Sequence, residues 1–322
     1  MKTSKQIIET AIRTIQAESL SIKRLSAHIN EDFAKCVEAI IQCNGRVVIT
    51  GIGKSAHIAT KIVATLNSTG TPAIFMHAAD AIHGDLGVIQ KGDIVVFISK
   101  SGNTPEIKVL IPLIKMLKNT IIALVGNKSS YLAENADFIL LTTVEKEACP
   151  NNLAPTSSTT AQLVMGDALA VCLLEYRGFT TSDFAKLHPG GMLGKNLYLK
   201  VEDLMKFNAV PVVSLDADIN QIIIEITSKR LGATAVIDKK GYLTGIITDG
   251  DLRRMLEKNS NLKDIRAKDI FSPNPKTISK DVLVAKSLSI MKAHNITQLI
   301  VSENKKVIGF LHLHDILKEG FI

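Results

Sequence analysis

The apolar positions of this chain change period as it runs. From Ser4 to Cys43, the residues Ile7, Ile8, Ile12, Ile15, Leu20, Leu25, Ile29, Phe33, Val37, Ile40 and Ile41 recur mostly three or four apart. That spacing predicts two amphipathic helices. The pattern then shifts to short, almost wholly apolar runs at Arg46 to Thr50, Ala73 to His77, Ile94 to Ser99, Thr120 to Val125 and Phe138 to Thr142, separated by helix-length segments. Such runs are buried on both faces, which predicts an α/β unit with a parallel five-stranded sheet sandwiched by helices. A last long helix is expected over roughly Thr159 to Tyr176, packed back on the sheet.

After Gly178, Pro and clustered Gly in His188-Pro189-Gly190-Gly191 oppose regular structure, so residues 181–200 read as a linker. Beyond it the chain repeats itself. Val201-Glu202-Asp203-Leu204-Met205 is echoed by Ala267-Lys268-Asp269-Ile270-Phe271, and the Gly245 to Arg254 stretch by Gly309 to Lys318, about 64 to 66 residues apart. Each copy reads as a short strand, a helix, two strands joined by a turn, and a helix capped by Asp. Neither copy alone can bury its sheet face, so the two are expected to form one compact α+β module. The resulting organisation is N-terminal helices over 1–43 packing on an α/β domain over 44–180, the linker over 181–200, and repeat copies over 201–260 and 265–322.

Composition narrows the partners. The chain has 322 residues, enough for more than one domain, and its net charge of +7 comes from scattered Lys and Arg. Scattered basicity attracts small anions without specifying a nucleic-acid surface, and the absence of Trp argues against stacking platforms for single strands. Met1 to Arg13 is polar and periodic, unlike a signal peptide, and no run reads as a membrane span, so a soluble cytoplasmic protein is expected. Cys36, Cys43, Cys149 and Cys172 show no CxxC pairing and read as free thiols.

The chemistry concentrates after strands. Ser99-Lys100-Ser101-Gly102-Asn103-Thr104-Pro105-Glu106 delivers three hydroxyls, a glycine and several backbone N–H groups to a helix start, where peptide dipoles and unpaired donors favour an anion. A bare capped helix, with Thr104 at the N-cap and Pro105 first in the helix, would account for Thr104, Pro105 and Glu106 but not for Ser99, Ser101 and Gly102. Thr50-Gly51-Ile52-Gly53-Lys54-Ser55 follows an earlier strand. It is not a P-loop, because the first glycine of that motif would fall at Val48, and it matches the looser dinucleotide pattern only weakly. His83, Glu147 and His188 all lie in turn-rich segments after strand or helix ends, and jointly make an acid/base set. Thr156-Ser157-Ser158-Thr159-Thr160 offers more hydroxyls than one helix cap uses.

Together these strings resemble a known family. Ser-x-Ser-Gly-x-Thr-x-Glu after a parallel strand resembles the sugar isomerase (SIS) domain, and the repeat ending in Gly-x-x-Thr-x-x-Asp-Leu resembles a pair of CBS domains. With Thr50 to Ser55, Ala81-Ile82-His83-Gly84-Asp85-Leu86-Gly87, Lys146-Glu147-Ala148-Cys149-Pro150, Ala154 to Thr160 and His188 to Gly191, the whole chain is similar to the D-arabinose 5-phosphate isomerases. The resemblance implies interconversion of D-ribulose 5-phosphate and D-arabinose 5-phosphate through an enediol, the first step toward the Kdo sugar of lipopolysaccharide or capsule.

By the same resemblance Lys54, Glu106, Glu147 and His188 are the catalytic set. Glu147 is assigned the proton shuttle, His188 ring opening and hydroxyl proton movement, Lys54 enediolate charge, and Glu106 the orientation of Lys54 or a sugar hydroxyl. Ser55, Gly70, Thr71, His83, Ser99, Ser101 and Thr104 are expected to hold substrate. The family needs no cofactor, and His77 is where a zinc ion is implied. A nucleotide or CMP-Kdo effector is implied for the CBS pair through Thr248 and Asp251, with His312 replacing the threonine in the second copy while Asp315 remains; a purely structural role in assembly is the other reading. A homotetramer is also implied. Lys100 departs from the family, which more often has a neutral amide there. The alternative of a different class is a non-catalytic sugar-phosphate sensor with a nucleotide-responsive CBS module.

Overall fold

The computed structural model describes residues 3–258 and 262–321, in two compact units that divide between Leu187 and His188. In the first unit the elements are α1 (Ser4–Leu25), α2 (Glu31–Gln42), β1 (Val47–Gly51), α3 (Lys54–Ser68), β2 (Ala73–His77), α4 (Ala78–Ala81), β3 (Ile94–Ser99), α5 (Pro105–Met116), β4 (Thr120–Val125), α6 (Tyr131–Asn135), β5 (Phe138–Leu141), α7 (Ser157–Tyr176) and α8 (Thr181–Leu187). The five strands are all parallel, in the order β2-β1-β3-β4-β5.

Alternate residues of each strand serve opposite faces, as a period of two requires. Val47, Ile49, Val96, Ile98, Ile122 and Leu124 pack with α2, α3 and α7, whereas Val48, Val95, Phe97, Ile121 and Ala123 pack with α5 and α6. Both faces are covered, so the strands tolerate no polar alternation, which is why they read as continuous apolar runs. The expected five runs are all strands, displaced by no more than one residue at β1 and β5; α7 starts at Ser157, earlier than the apolar period alone indicates.

The two leading helices differ in how they pack. Asn30 caps α2 by accepting from Asp32 and Phe33 N–H groups, and Phe33, Cys36, Val37 and Ile40 are buried in the sheet-side core. In α1, Thr3 and Gln6 close a capping box, but Ile7, Ile8, Ile12 and Ile15 remain 50–69% exposed. One contact with α7 is a hydrogen bond from Thr160 Oγ1 to Glu18 at 2.9 Å.

Helix α7 alters the expectation that no run approaches a membrane span. By length and composition it is apolar enough to cross one, yet half of that window is buried, with Ala161, Met165, Leu169 and Leu173 inside the sheet-side core. A central helix covered on several sides loses its amphipathic stripe for that reason.

The second unit holds the repeat. One sheet is built from Val212–Ser214, Ala233–Ile237, Leu243–Thr248 and Ser272–Pro273, the other from Thr277–Ile278, Gln298–Glu303 and Lys306–His312. The echoed segments that open each copy are short helices, Val201–Met205 and Ala267–Ile270, and the expected order of short strand, helix, two strands and helix follows each of them. They also trade places: Val201 and Leu204 lie in the core of the second copy, with Val201 N–H donating to the Val282 carbonyl, while Ala267 lies in the core of the first and donates to the Ala217 carbonyl. The 181–200 segment contains the division between the two units, as a linker would, but it is not irregular throughout: it carries α8 and a helix over Met192–Tyr198, with the Pro189-Gly190-Gly191 break between them. The four cysteines are free thiols.

Candidate active site

In the strand order, β1 is followed in the chain by β2 on one side and has β3 on the other, so the helices leaving β1 and β3 diverge to opposite faces of the sheet. Such a switch point opens a crevice at the carboxyl ends of the strands. A cavity of about 300 Å³ lies there. It is lined by Ile52, Lys54 and Ser55 after β1, by Ser99, Lys100, Ser101 and Thr104 after β3, and by Pro155, Ser158, Thr159 and Gln162 around the start of α7.

The loop after β3 is held by its own side chains. Ser99 Oγ accepts from Gly102 N–H at 3.0 Å, Ser101 Oγ from Asn103 N–H at 3.3 Å, and Asn103 Oδ1 from Tyr131 N–H at 3.0 Å. Gly102 has φ +67°, and a Cβ there would lie 2.6 Å from Ser130 Cβ and 2.9 Å from Val125 Cγ2, so both the turn and the space demand glycine. Thr104 occupies the N-cap position of α5 but makes no capping hydrogen bond, and its Oγ1 is buried without a partner. The bare-cap reading of this loop is therefore wrong for the residue that should have carried it. A hydroxyl buried at a helix start without a partner is a donor awaiting an acceptor.

Glu147 is placed by the loop that leads into α7. Asn152 Oδ1 accepts from its N–H at 2.7 Å, and Thr156 Oγ1 accepts from Ala148 N–H at 2.9 Å. Its own carboxylate takes three donors on Oε2, namely Thr156 N–H at 2.8 Å, Ser158 N–H at 3.1 Å and Thr156 Oγ1 at 3.2 Å. Oε1 takes Ser158 Oγ at 2.5 Å and Lys100 Nζ at 2.6 Å. Burial by itself would raise this carboxyl, but the bonds from Lys100, Ser158 and Thr156 outweigh it and bring it from 4.5 down to about 2. Four of the five hydroxyls at 156–160 are thereby placed: two brace Glu147, Thr159 lines the cavity and Thr160 reaches Glu18, while Ser157 Oγ is buried without a partner. Glu147 does not itself line the 300 Å³ cavity, where Lys100 and Ser158 stand; it borders a second hollow of about 360 Å³ beside Arg13 and Lys146.

The other expected residues divide. Lys54 and Ser55 open α3 at the cavity, Ser55 Oγ donating to Gln162 Oε1 at 3.2 Å. Glu106 sits half-buried in the first turn of α5, outside the cavity lining. Gly70 and Thr71 precede β2 and so lie at the opposite edge of the sheet, where Arg177 Nη1 donates to the Gly70 carbonyl at 3.0 Å and also to Thr71 Oγ1. The first unit does not bring them to the cavity. His77 ends β2, with Nδ1 at 3.4 Å from Asp80 Oδ2, and His83 is exposed beyond α4. Among the described residues no group of three His, Cys, Asp or Glu side chains converges around His77, whose one such neighbour is Asp80. His188 opens the second unit, half-buried, its carbonyl accepting from Gly191 N–H at 3.1 Å.

Sequence reasoning missed Gln162, which is 1% exposed and shares the cavity with Ser55. Its signal was a polar residue facing inward on an otherwise apolar stretch of α7. Lys100 was noticed but unassigned; its partner is 47 positions away and no local pattern names it.

The fold and this site define a SIS domain followed by a CBS pair. The SIS family model matches residues 40–172 and the CBS model residues 201–258 and 267–321. The chain is 46% identical over 322 residues to the arabinose 5-phosphate isomerase KdsD of Pseudomonas aeruginosa, covering 99% of each, and 43% identical over 311 residues to that of Escherichia coli K12, covering 95% of each. Among solved structures it is similar to an Escherichia coli CFT073 protein in complex with arabinose 5-phosphate, with 37% identity and a TM-score of 0.57, over 58% of this chain and 100% of that one. The chain belongs to the arabinose 5-phosphate isomerase family.

Proposed function

We propose that this chain interconverts D-ribulose 5-phosphate and D-arabinose 5-phosphate. The observation that carries the reading is a pairing: an anion seat with an unsatisfied buried hydroxyl at Thr104, and a covered carboxylate at Glu147 joined to that seat by Lys100. The seat takes the phosphate. Glu147 removes a proton from C1 of the ketose as O2 takes one up to give the enediol; the proton on Glu147 exchanges with solvent, and a proton is then delivered to C2 as O1 gives up its own, so carbonyl and hydroxyl change places without net loss of atoms. Lys54, which starts α3 and lines the cavity, stabilises the charge that develops on the enediolate. His188 opens the cyclic aldose and moves hydroxyl protons, and Glu106 orients Lys54 or a sugar hydroxyl.

Incubation of the protein with ribulose 5-phosphate in deuterated water tests the reading. Arabinose 5-phosphate carrying solvent deuterium at C2 is the expected product. Recovery of unlabelled, unconverted ribulose 5-phosphate would instead favour the non-catalytic sensor.

The resemblance further supports a place in the cytoplasm, at the first step toward Kdo, and a homotetramer. The exposed Ile7, Ile8, Ile12 and Ile15 of α1 offer an apolar face that association would cover, and sedimentation velocity at micromolar concentration tests it. A nucleotide or CMP-Kdo effector on the CBS pair is tested by calorimetry. Such a ligand must compete with the bonds that Asp251 already accepts from Thr248, Arg254 and Ser272.

A further inference from the structure

A base must present a lone pair to the carbon acid it deprotonates. Glu147 presents none. Its carboxylate accepts from five donors, more than the roughly four acceptor sites a carboxylate has, and its side chain is 0% exposed. The two backbone donors from Thr156 and Ser158 belong to the entry of α7 and cannot leave without unravelling it. Lys100 is different in kind. Its side chain is 48% exposed, it is carried on a flexible four-carbon stem, and it lines the cavity that Glu147 does not reach.

Lys100 also stands between Ser99 and Ser101 on the anion seat itself. A phosphate arriving there brings about two negative charges against the single charge of Glu147. The ammonium therefore has a stronger partner at hand once the seat is filled.

We propose that Lys100 is a positioning residue that couples phosphate capture to exposure of Glu147: it caps Oε1 while the seat is empty and turns to the phosphate when the seat is filled, opening Oε1 to the cavity. The inference rests on Glu147 being the proton shuttle and on the Ser99 to Thr104 loop being the phosphate seat. It makes the phosphate contribute to kcat as well as to binding, so that an unphosphorylated pentulose turns over slowly even at saturation.

The test is solvent-deuterium exchange into D-ribulose, which lacks the phosphate, with and without saturating inorganic phosphite to fill the seat. Wild type is expected to be stimulated by phosphite about tenfold or more, and Lys100→Arg, which keeps a cation on the loop, to keep the stimulation. Lys100→Met is expected to lose it and to show a faster exchange without phosphite, because its carboxylate is never capped. With ribulose 5-phosphate, the acid limb of kcat/KM for Lys100→Met should move to higher pH because the bond from Lys100 is lost, whereas the loss of phosphite stimulation is the readout that a lysine paired statically with Glu147 would not give. Phosphite stimulation of wild-type size in Lys100→Met overturns the proposal, wherever its acid limb lies. Glu147→Gln separates the two levels: exchange surviving in it removes the proton-shuttle reading itself, whereas a silent Glu147→Gln beside a wild-type-like Lys100→Met removes the role of Lys100 alone.

Discussion

Ser158 donates to both oxygens of Glu147, from its backbone N–H to Oε2 at 3.1 Å and from its hydroxyl to Oε1 at 2.5 Å. One residue at the start of α7 thus fixes both the position and the rotation of the carboxylate. Ser158→Ala keeps the backbone bond and removes the other. The expected outcome is a kcat lower by about tenfold, the loss of one charge-assisted hydrogen bond of about 1.5 kcal/mol, with an acid limb displaced upward. Steady-state kinetics across pH check both.

Glu147→Gln should lower kcat by about two orders of magnitude or more while leaving KM within a few-fold, since the shuttle acts on the bound sugar. It has a second consequence in the fold. The Glu147 carboxyl lies near 2, below its ordinary 4.5, so its ionised form stabilises the native state fully above 4.5, and that stability is lost as pH falls through about 2. The difference in melting temperature between wild type and Glu147→Gln should therefore be largest near neutrality and shrink steadily from about pH 4.5 toward pH 2. A difference that stays constant over that window contradicts the assignment.

Thr104→Val tests the seat by an asymmetry. In the unliganded protein the hydroxyl is buried without a partner, so its removal should leave thermal stability unchanged or slightly raised. In the complex it donates to a charged oxygen, and its loss should raise KM for ribulose 5-phosphate by about tenfold or more. Parallel melting curves and kinetics read the two effects on one variant.

Gly102→Ala addresses the backbone of the same loop. The methyl would meet Ser130 and Val125 at a residue with φ +67°, so a loss of about 2 kcal/mol or more is expected in denaturant unfolding, with a raised KM. Gly53 also has a positive φ, of +59°, but nothing lies near a Cβ there, and Gly53→Ala should cost less.

The sheet was legible because burial on both faces leaves a blunt signature: five apolar runs with helix-length gaps. The opening helices of the repeat were not legible. Val201 to Met205 and Ala267 to Ile270 are too short for a period, and each packs in the other copy's core, so long-range contact decides their form. At the site, the loop after β3 announced itself as an anion seat through three hydroxyls and a glycine within eight positions. Glu147 was legible as a member of an acid/base set by its place after an element end, but its surroundings were not, because they come from three separated segments at residues 100, 147 and 156–158. Gly70 and Thr71 show the converse: their string matches the family, and the fold carries them to the other edge of the sheet.

The exchanged opening helices of the repeat bear on how this half of the chain can be cut or inherited. Removing everything beyond Lys258 would not leave one tidy repeat, because Val201 and Leu204 would lose the core that covers them and the first copy would lose Ala267 and the Ser272–Pro273 strand. The two copies are latched to one another at their beginnings. They should melt in a single step, and a gene carrying only one of them would encode an open apolar surface instead of a smaller domain.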